Sequence, residues 1–186
     1  MRNAIAIGGS AGSFKVVVEL LTKIPKSYNI PIFLCLHRLK HVRNGFSEAL
    51  SLRSNLKVVE PQDKDEILPG KIYLAPANYH LLVGLDGKFH LSVEEAVNHS
   101  RPSIDYLFSS AALHYGKYLT GVLLSGANRD GAIGMQHINM EGGQTIVQSP
   151  EESQVNTMPK SCLELFKPDL ILESEQIINY LVGLKG

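Results

Sequence analysis

Three short segments of this 186-residue chain carry side chains suited to nucleophilic acyl chemistry. The first is Gly8-Gly9-Ser10-Ala11-Gly12, which follows the apolar run AIAI directly and fits the pattern GxSxG. Glycines there permit a tight strand-to-helix turn that lifts a serine hydroxyl clear of a sheet, and the next backbone N–H can join an oxyanion hole. A serine at its ordinary pKa is a weak nucleophile, so the pattern calls for a base and a group to orient it. His37 follows the apolar run IFLCL and is the histidine that topology places as the base. Asp130 lies in Ser125-Gly126-Ala127-Asn128-Arg129-Asp130-Gly131-Ala132, after the run GVLL, and could orient that base or cap the helix after it.

The chain order is Ser, His, Asp, whereas the large α/β-hydrolase group that shares GxSxG runs Ser, Asp, His, which disfavours that group. The glycine turn could instead cradle a phosphate, but it lacks both GxGxxG and the Gly-Lys-Ser/Thr of a P-loop, so that reading ranks second. His41 follows His37 at helical spacing without an HExxH pattern or further ligands, and no metal site is expected. His80 is placed to border the site, while His90, His99, His114 and His137 read as surface or core residues. Cys35 and Cys162 sit in apolar contexts and read as buried free thiols.

Positioning these groups falls to an alternation of short apolar runs and helical patterns. Strands are predicted at Ala4 to Ile7, Ile32 to Leu36, Lys57 to Val59, Lys71 to Leu74, Thr120 to Leu124, Thr145 to Gln148 and Asp169 to Leu172. Helices are predicted at Phe14 to Ile24, Gly45 to Arg53, Pro102 to Tyr115, Gly131 to Met140 and Ser174 to Leu184. Runs such as AIAI, IFLCL and GVLL suit strands buried on both faces of a parallel sheet. From His80 to Val93 two strand-like runs flank Asp86-Gly87, a β-hairpin signal. The order predicts one α/β domain over residues 1–186, an open sheet covered by helices with a hairpin inserted. Ser10, His37 and Asp130 then all lie at carboxyl ends of strands, the edge along which sites form in open α/β sheets.

Composition narrows the partners. The 18 basic and 18 acidic side chains cancel, and aromatic residues make up 7%, which argues against a nucleic-acid binder. The charge is unevenly spread: Met1 to Lys57 holds nine basic and two acidic side chains, net +7, leaving −7 elsewhere. No apolar run approaches the roughly 20 residues of a membrane span, and the glycines arrive too early for a signal-peptide core. A cytoplasmic protein without membrane insertion is expected.

Taken together, the segments resemble the catalytic domain of the CheB-type chemoreceptor protein-glutamate methylesterases. IAIGGSAGS is similar to that family's nucleophile segment, LHRLKHVRNGFSEAL to its histidine segment and LLSGANRDGAIGM to its aspartate segment. LAPANYHLLV, SRPSIDYLFSSAA and QSPEESQVNTMPKS add further similarity, the last containing Met158-Pro159. The resemblance implies a doubly wound, mostly parallel sheet with helices on both faces, and hydrolysis of γ-glutamyl methyl esters on receptor helices, often with deamidation of particular glutamines. It implies Ser10 as nucleophile, His37 as general base and Asp130 as carboxylate, with no cofactor. Ala11, Gly12 and Ala127 would line the oxyanion and substrate pocket. The chain departs from the family where Ser10-Ala11-Gly12-Ser13 replaces Ser-Thr-Gly-Gly and where Ala127 replaces a methionine. Ala11 keeps a backbone N–H but lacks a hydroxyl, and Ala127 removes bulk from the pocket wall. The family's N-terminal receiver domain has no counterpart in these 186 residues.

The expected partners are methylated chemoreceptor cytoplasmic helices and other chemotaxis-type signalling proteins, with no nucleic acid. Arg38, Lys40 and Arg43 follow the base and are candidates for contact with a glutamate-rich receptor helix. Two other classes are a receptor-binding module weakened in catalysis at Ala11 and Ala127, and a nucleotide- or phosphate-binding α/β module using Gly8 to Gly12.

Overall fold

In the computed structural model, residues 3–37, 45–98 and 100–185 are described. In chain order the elements are β1 (Ala4–Gly9), α1 (Phe14–Lys23), β2 (Ile32–Leu36), α2 (Phe46–Ser51), β3 (Val58–Val59), β4 (Ile72–Leu74), β5 (His80–Val83) and β6 (Phe89–Ser92). Then follow α3 (Ile104–Tyr115), β7 (Leu119–Leu123), α4 (Ala132–Met140), β8 (Gln144–Gln148), α5 (Thr157–Leu165), β9 (Leu170–Leu172) and α6 (Ser174–Gly183). Seven strands form one sheet in the order β3-β4-β2-β1-β7-β8-β9, every pair parallel, while β5 and β6 make a separate antiparallel hairpin. From β1 the chain lays β2, then edge strand β3, then β4 between them on one side, and returns past β1 to build β7, β8 and β9 on the other. This places the topological switch point at β1, between β2 and β7.

Side-chain alternation along β1 sorts the two faces. Ile5 and Ile7 meet Val17, Leu20 and Leu21 of α1 and Ile177 and Ile178 of α6 in one core. Ala4 and Ala6 belong to the other core, with Phe108 of α3, Met135 of α4 and Cys162 of α5. Gly8 continues the small-residue face: a Cβ there would lie 2.3 Å from Ile104 Cγ2 and 3.0 Å from Phe108 Cζ. The row of small residues lets α3 lie close to the sheet and brings its first turn to the carboxyl end of β1. The hairpin packs on the same face, with Phe89 edge-on to Phe33 at 5.5 Å and its ring 4.6 Å from Tyr73. Gly87 takes the positive φ its turn needs, at 74°.

The structure corrects the sequence reading in three places. Helix α5 was not predicted; Pro159 falls in its first turn, where the missing N–H costs no helical bond. Helix α3 begins at Ile104 with Ser103 as its N-cap, two residues later than the proline suggested. Helix α4 is preceded by Gly131 in the left-handed region with no side-chain cap, so Asp130 does not cap it. No described helix is long and apolar enough to cross a membrane.

Candidate active site

Ser10 leaves the end of β1 at a turn fastened from both sides. Its N–H donates to the Ser125 carbonyl at 2.9 Å, and its carbonyl accepts from Ser13 N–H at 3.1 Å and Ser13 Oγ at 2.7 Å. Gly12 has φ 86°, and a Cβ there would lie 2.6 Å from Ser125 Oγ and 2.7 Å from Gln154 Cβ, so the turn admits no side chain at that position. Ser125, at the end of β7, secures the turn: its Oγ lies 2.7 Å from the Ala11 carbonyl and accepts from Val155 N–H at 2.9 Å. Its own N–H donates to Gln148 Oε1 at 2.8 Å. Among the described residues, the N–H groups of Ala11 and Ala127 carry no hydrogen bond. Both alanines are exposed.

His37 stands beside Ser10 because β1 and β2 are in register. Gly9 pairs with Leu36, and His37 N–H donates to the Gly9 carbonyl at 3.1 Å. Neighbouring strands lie about 4.8 Å apart, so the residues that follow this pair project from adjacent strand ends. His37 Nε2 lies 2.8 Å from Asp130 Oδ2, with 12% of the imidazole side chain and none of the Asp130 side chain exposed. The Nδ1 atom faces a second hydroxyl, Ser100 Oγ, at 3.3 Å. Asn128 Nδ2 approaches Ser100 Oγ at 3.3 Å, and Asn128 Oδ1 accepts from Asp130 N–H at 3.1 Å. Among the described residues, Ser10 and His37 share no side-chain hydrogen bond; such bonds are often long without substrate.

The Asp130 carboxylate is held by the first turn of α3. It accepts from Ser103 Oγ at 2.9 Å, Ile104 N–H at 2.8 Å and Asp105 N–H at 3.1 Å, in addition to His37. Burial is the largest single influence and would raise its pKa. The hydrogen bonds from His37 and Ile104 and the His37 charge together outweigh it and hold the carboxyl below its ordinary range. With Asp130 ionised, the proton of the imidazole sits on Nε2 and the lone pair on Nδ1. Asp105 behaves oppositely: burial and then the neighbouring Asp130 charge push its carboxyl up to about 7, against a backbone hydrogen bond from Gly134.

The structure thus pairs His37 with Asp130 and sets His37 on the strand end next to that of Ser10, while Ala11 and Gly12 form the serine turn and Ala127 follows the end of β7. Buried His80 lies behind the site, where Nδ1 accepts from Ser103 N–H at 3.1 Å and Nε2 donates to the Glu95 carbonyl at 3.1 Å. Arg38, Lys40, Arg43, His41 and His99 lie outside the described residues. The sequence reading missed Ser100, Ser103, Asp105 and Asn128, whose roles arise only when the loop before α3 folds across the strand ends. Among the described residues, no three His, Cys, Asp or Glu side chains gather as a metal site would require. A cavity of about 480 Å³ opens beside the serine turn at Gly12, and its lining includes Glu19, Glu152, Glu173 and Glu175 together with Lys15.

Comparison with known proteins places this geometry among relatives. A family model described as CheB methylesterase matches residues 5–181. A Leptospira interrogans protein, provisionally designated a protein-glutamate methylesterase/protein-glutamine glutaminase, is 39% identical over 181 residues, covering 97% of this chain and 94% of its own. The protein-glutamate methylesterase FrzG of Myxococcus xanthus is 37% identical over 163 residues, covering 86% of this chain and 48% of FrzG, so the chain spans about half of that relative. The crystal structure of the Thermotoga maritima CheB methylesterase catalytic domain superposes with a TM-score of 0.92 at 29% identity, covering all of both chains.

Proposed function

The chain belongs to the CheB methylesterase family, and from that membership we propose that it hydrolyses γ-glutamyl methyl esters of chemoreceptor helices through Ser10, His37 and Asp130. The observation that carries the assignment of roles is the pair of His37 with fully buried Asp130 at 2.8 Å, on the strand end next to the serine turn at the sheet's switch point.

The hydrogen-bond pattern supports one ring atom as the base. Because Nε2 is engaged by Asp130, the base acts through Nδ1. The Nδ1 atom takes the Ser10 proton as Oγ attacks the ester carbonyl. Unengaged N–H groups at Ala11 and Ala127 supply donors to the developing oxyanion, which carries no side-chain requirement and so survives both family departures. The imidazolium gives its proton to the departing methoxide, and methanol leaves a glutamyl ester on Ser10. Water then attacks that ester, His37 takes its proton, and return of the proton to Ser10 Oγ frees the glutamate side chain. Asp130 holds the ring and stabilises the imidazolium without taking the proton.

Methanol release from a methylated chemoreceptor tests the assignment. Intact protein releases methanol and Ser10→Ala does not; equal release from both sinks the role of Ser10.

A further inference from the structure

The carboxylates of Asp105 and Asp130 are crossed between two helices. Asp130 immediately precedes the α4 N-cap, yet its carboxylate sits on the first turn of α3, accepting from Ser103, Ile104 and Asp105. Asp105 is the second residue of α3, yet its carboxylate sits on the first turn of α4. It accepts from Gly134 N–H at 2.8 Å and is bonded by the Gly131 N–H. Each helix start is thus capped by the other's acid. The crossing depends on close approach: a Cβ on Gly134 would lie 2.6 Å from Phe108 Cβ and 3.1 Å from the Asp105 backbone.

Two buried acids in contact through one backbone N–H cannot both ionise freely. Asp130 has the His37 partner and three donors from α3, so the negative charge settles there and the proton on Asp105. Among the described residues, the groups facing Asp105 offer no cation to reverse this. From the turn that leads into α4 come Asp130 and the Gly131 N–H, and from α4 the Gly134 N–H; from the loop before α3, Asn98 Nδ2 at 3.4 Å; from α5, the Cys162 thiol, which burial and then Asp105 push up to about 12. Arg129 reaches Asn98 Oδ1 at 3.3 Å and forms no ion pair with the carboxylate. His80 bonds to Ser103.

We propose that Asp105 is a positioning residue acting through Asp130: its carboxyl group docks the start of α4 against α3, and its charge state adjusts how tightly His37 holds a proton. The inference rests on the triad reading above. Ionising Asp105 places a second negative charge behind Asp130 and favours the imidazolium; protonating it favours the neutral base. Asn at this position keeps an acceptor for Gly134 N–H and removes the charge, so docking and charge are separable.

The test follows the His37 imidazole resonances by NMR across pH in Ser10→Ala protein and in the same protein carrying Asp105→Asn. Because it needs no turnover, it is independent of the methanol assay that tests the triad. With Asp105 present, the titration spreads beyond the width of a single proton. With Asp105→Asn it narrows to a single-proton curve and moves to lower pH by roughly half a unit or more. In Ser10-containing protein the acid limb of kcat/KM moves the same way. Superimposable His37 curves from two folded proteins overturn the proposal. If Asp105→Asn does not fold, the parent protein decides: the Asp105 Cγ resonance changes with pH near neutrality, and a resonance flat between about pH 5 and pH 9 overturns the proposal.

Discussion

At the scale of the residue, the site turns on Asp130, whose environment opposes its burial with four hydrogen bonds. Asp130→Asn keeps the shape but offers His37 an amide, favouring the wrong tautomer, and kcat should fall by about 10³- to 10⁴-fold in the methanol assay. The two acids also leave opposite marks on stability. Asp130 is held below its unfolded value, so its contribution is present above about pH 4 and is lost as pH falls through its folded value. Asp105 is held above its unfolded value. Between about pH 4 and about 7 the folded state keeps a proton that the unfolded state has released, and stability falls as pH rises across that window. Thermal melts of Asp105→Asn should show a smaller drop in Tm from pH 5 to pH 7.5 than the parent. An unchanged drop would mean that Asp105 is not the group responsible.

At the scale of the element, the geometry of the proposed triad depends on how closely α3 lies on β1. Gly8→Ala would force a Cβ to 2.3 Å from Ile104 Cγ2, costing about 1–3 kcal/mol by overpacking. Because Ile104 also donates to Asp130, activity should fall further than the folded fraction does, read by comparing methanol release with urea melts. Ser103→Ala removes both the α3 cap at Tyr106 N–H and a donor to Asp130, and should cost about 1–2 kcal/mol. Much of this level was legible in the sequence. Buried apolar runs ending at Ser10, His37 and just before Ser125 announced three parallel strands, and register then set the residues side by side. What could not be read was long-range: whether Asp130 caps its own helix or another, and which imidazole nitrogen faces it. Those depend on a loop folding back over 25 to 30 residues, for which local periodicity carries no signal. Helix α5 stayed hidden because it is nine residues long and buries only Met158, Pro159 and Cys162, too few apolar positions to mark a helical period.

At the scale of the whole molecule, the sheet changes winding direction at β1, and the serine turn occupies that crevice. Charge is distributed unevenly along the sequence. The N-terminal 57 residues carry +7 overall, while the charged side chains lining the cavity beside Gly12 are four glutamates and one lysine. An acidic receptor helix should therefore associate through the basic stretch rather than through this cavity, and KM should rise as salt increases from 0.05 to roughly 0.3 M while kcat changes little. Salt-independent KM would exclude steering by that stretch. The crossing of the two acids has a dynamic consequence. The N–H groups of Ile104 and Asp105 are shielded by a carboxylate belonging to another helix, so they can exchange with solvent hydrogen only when α3 and α4 part. Their exchange should match that of Gly134 and run slower than first-turn amides elsewhere, making three amides a direct gauge of how often the catalytic assembly comes apart.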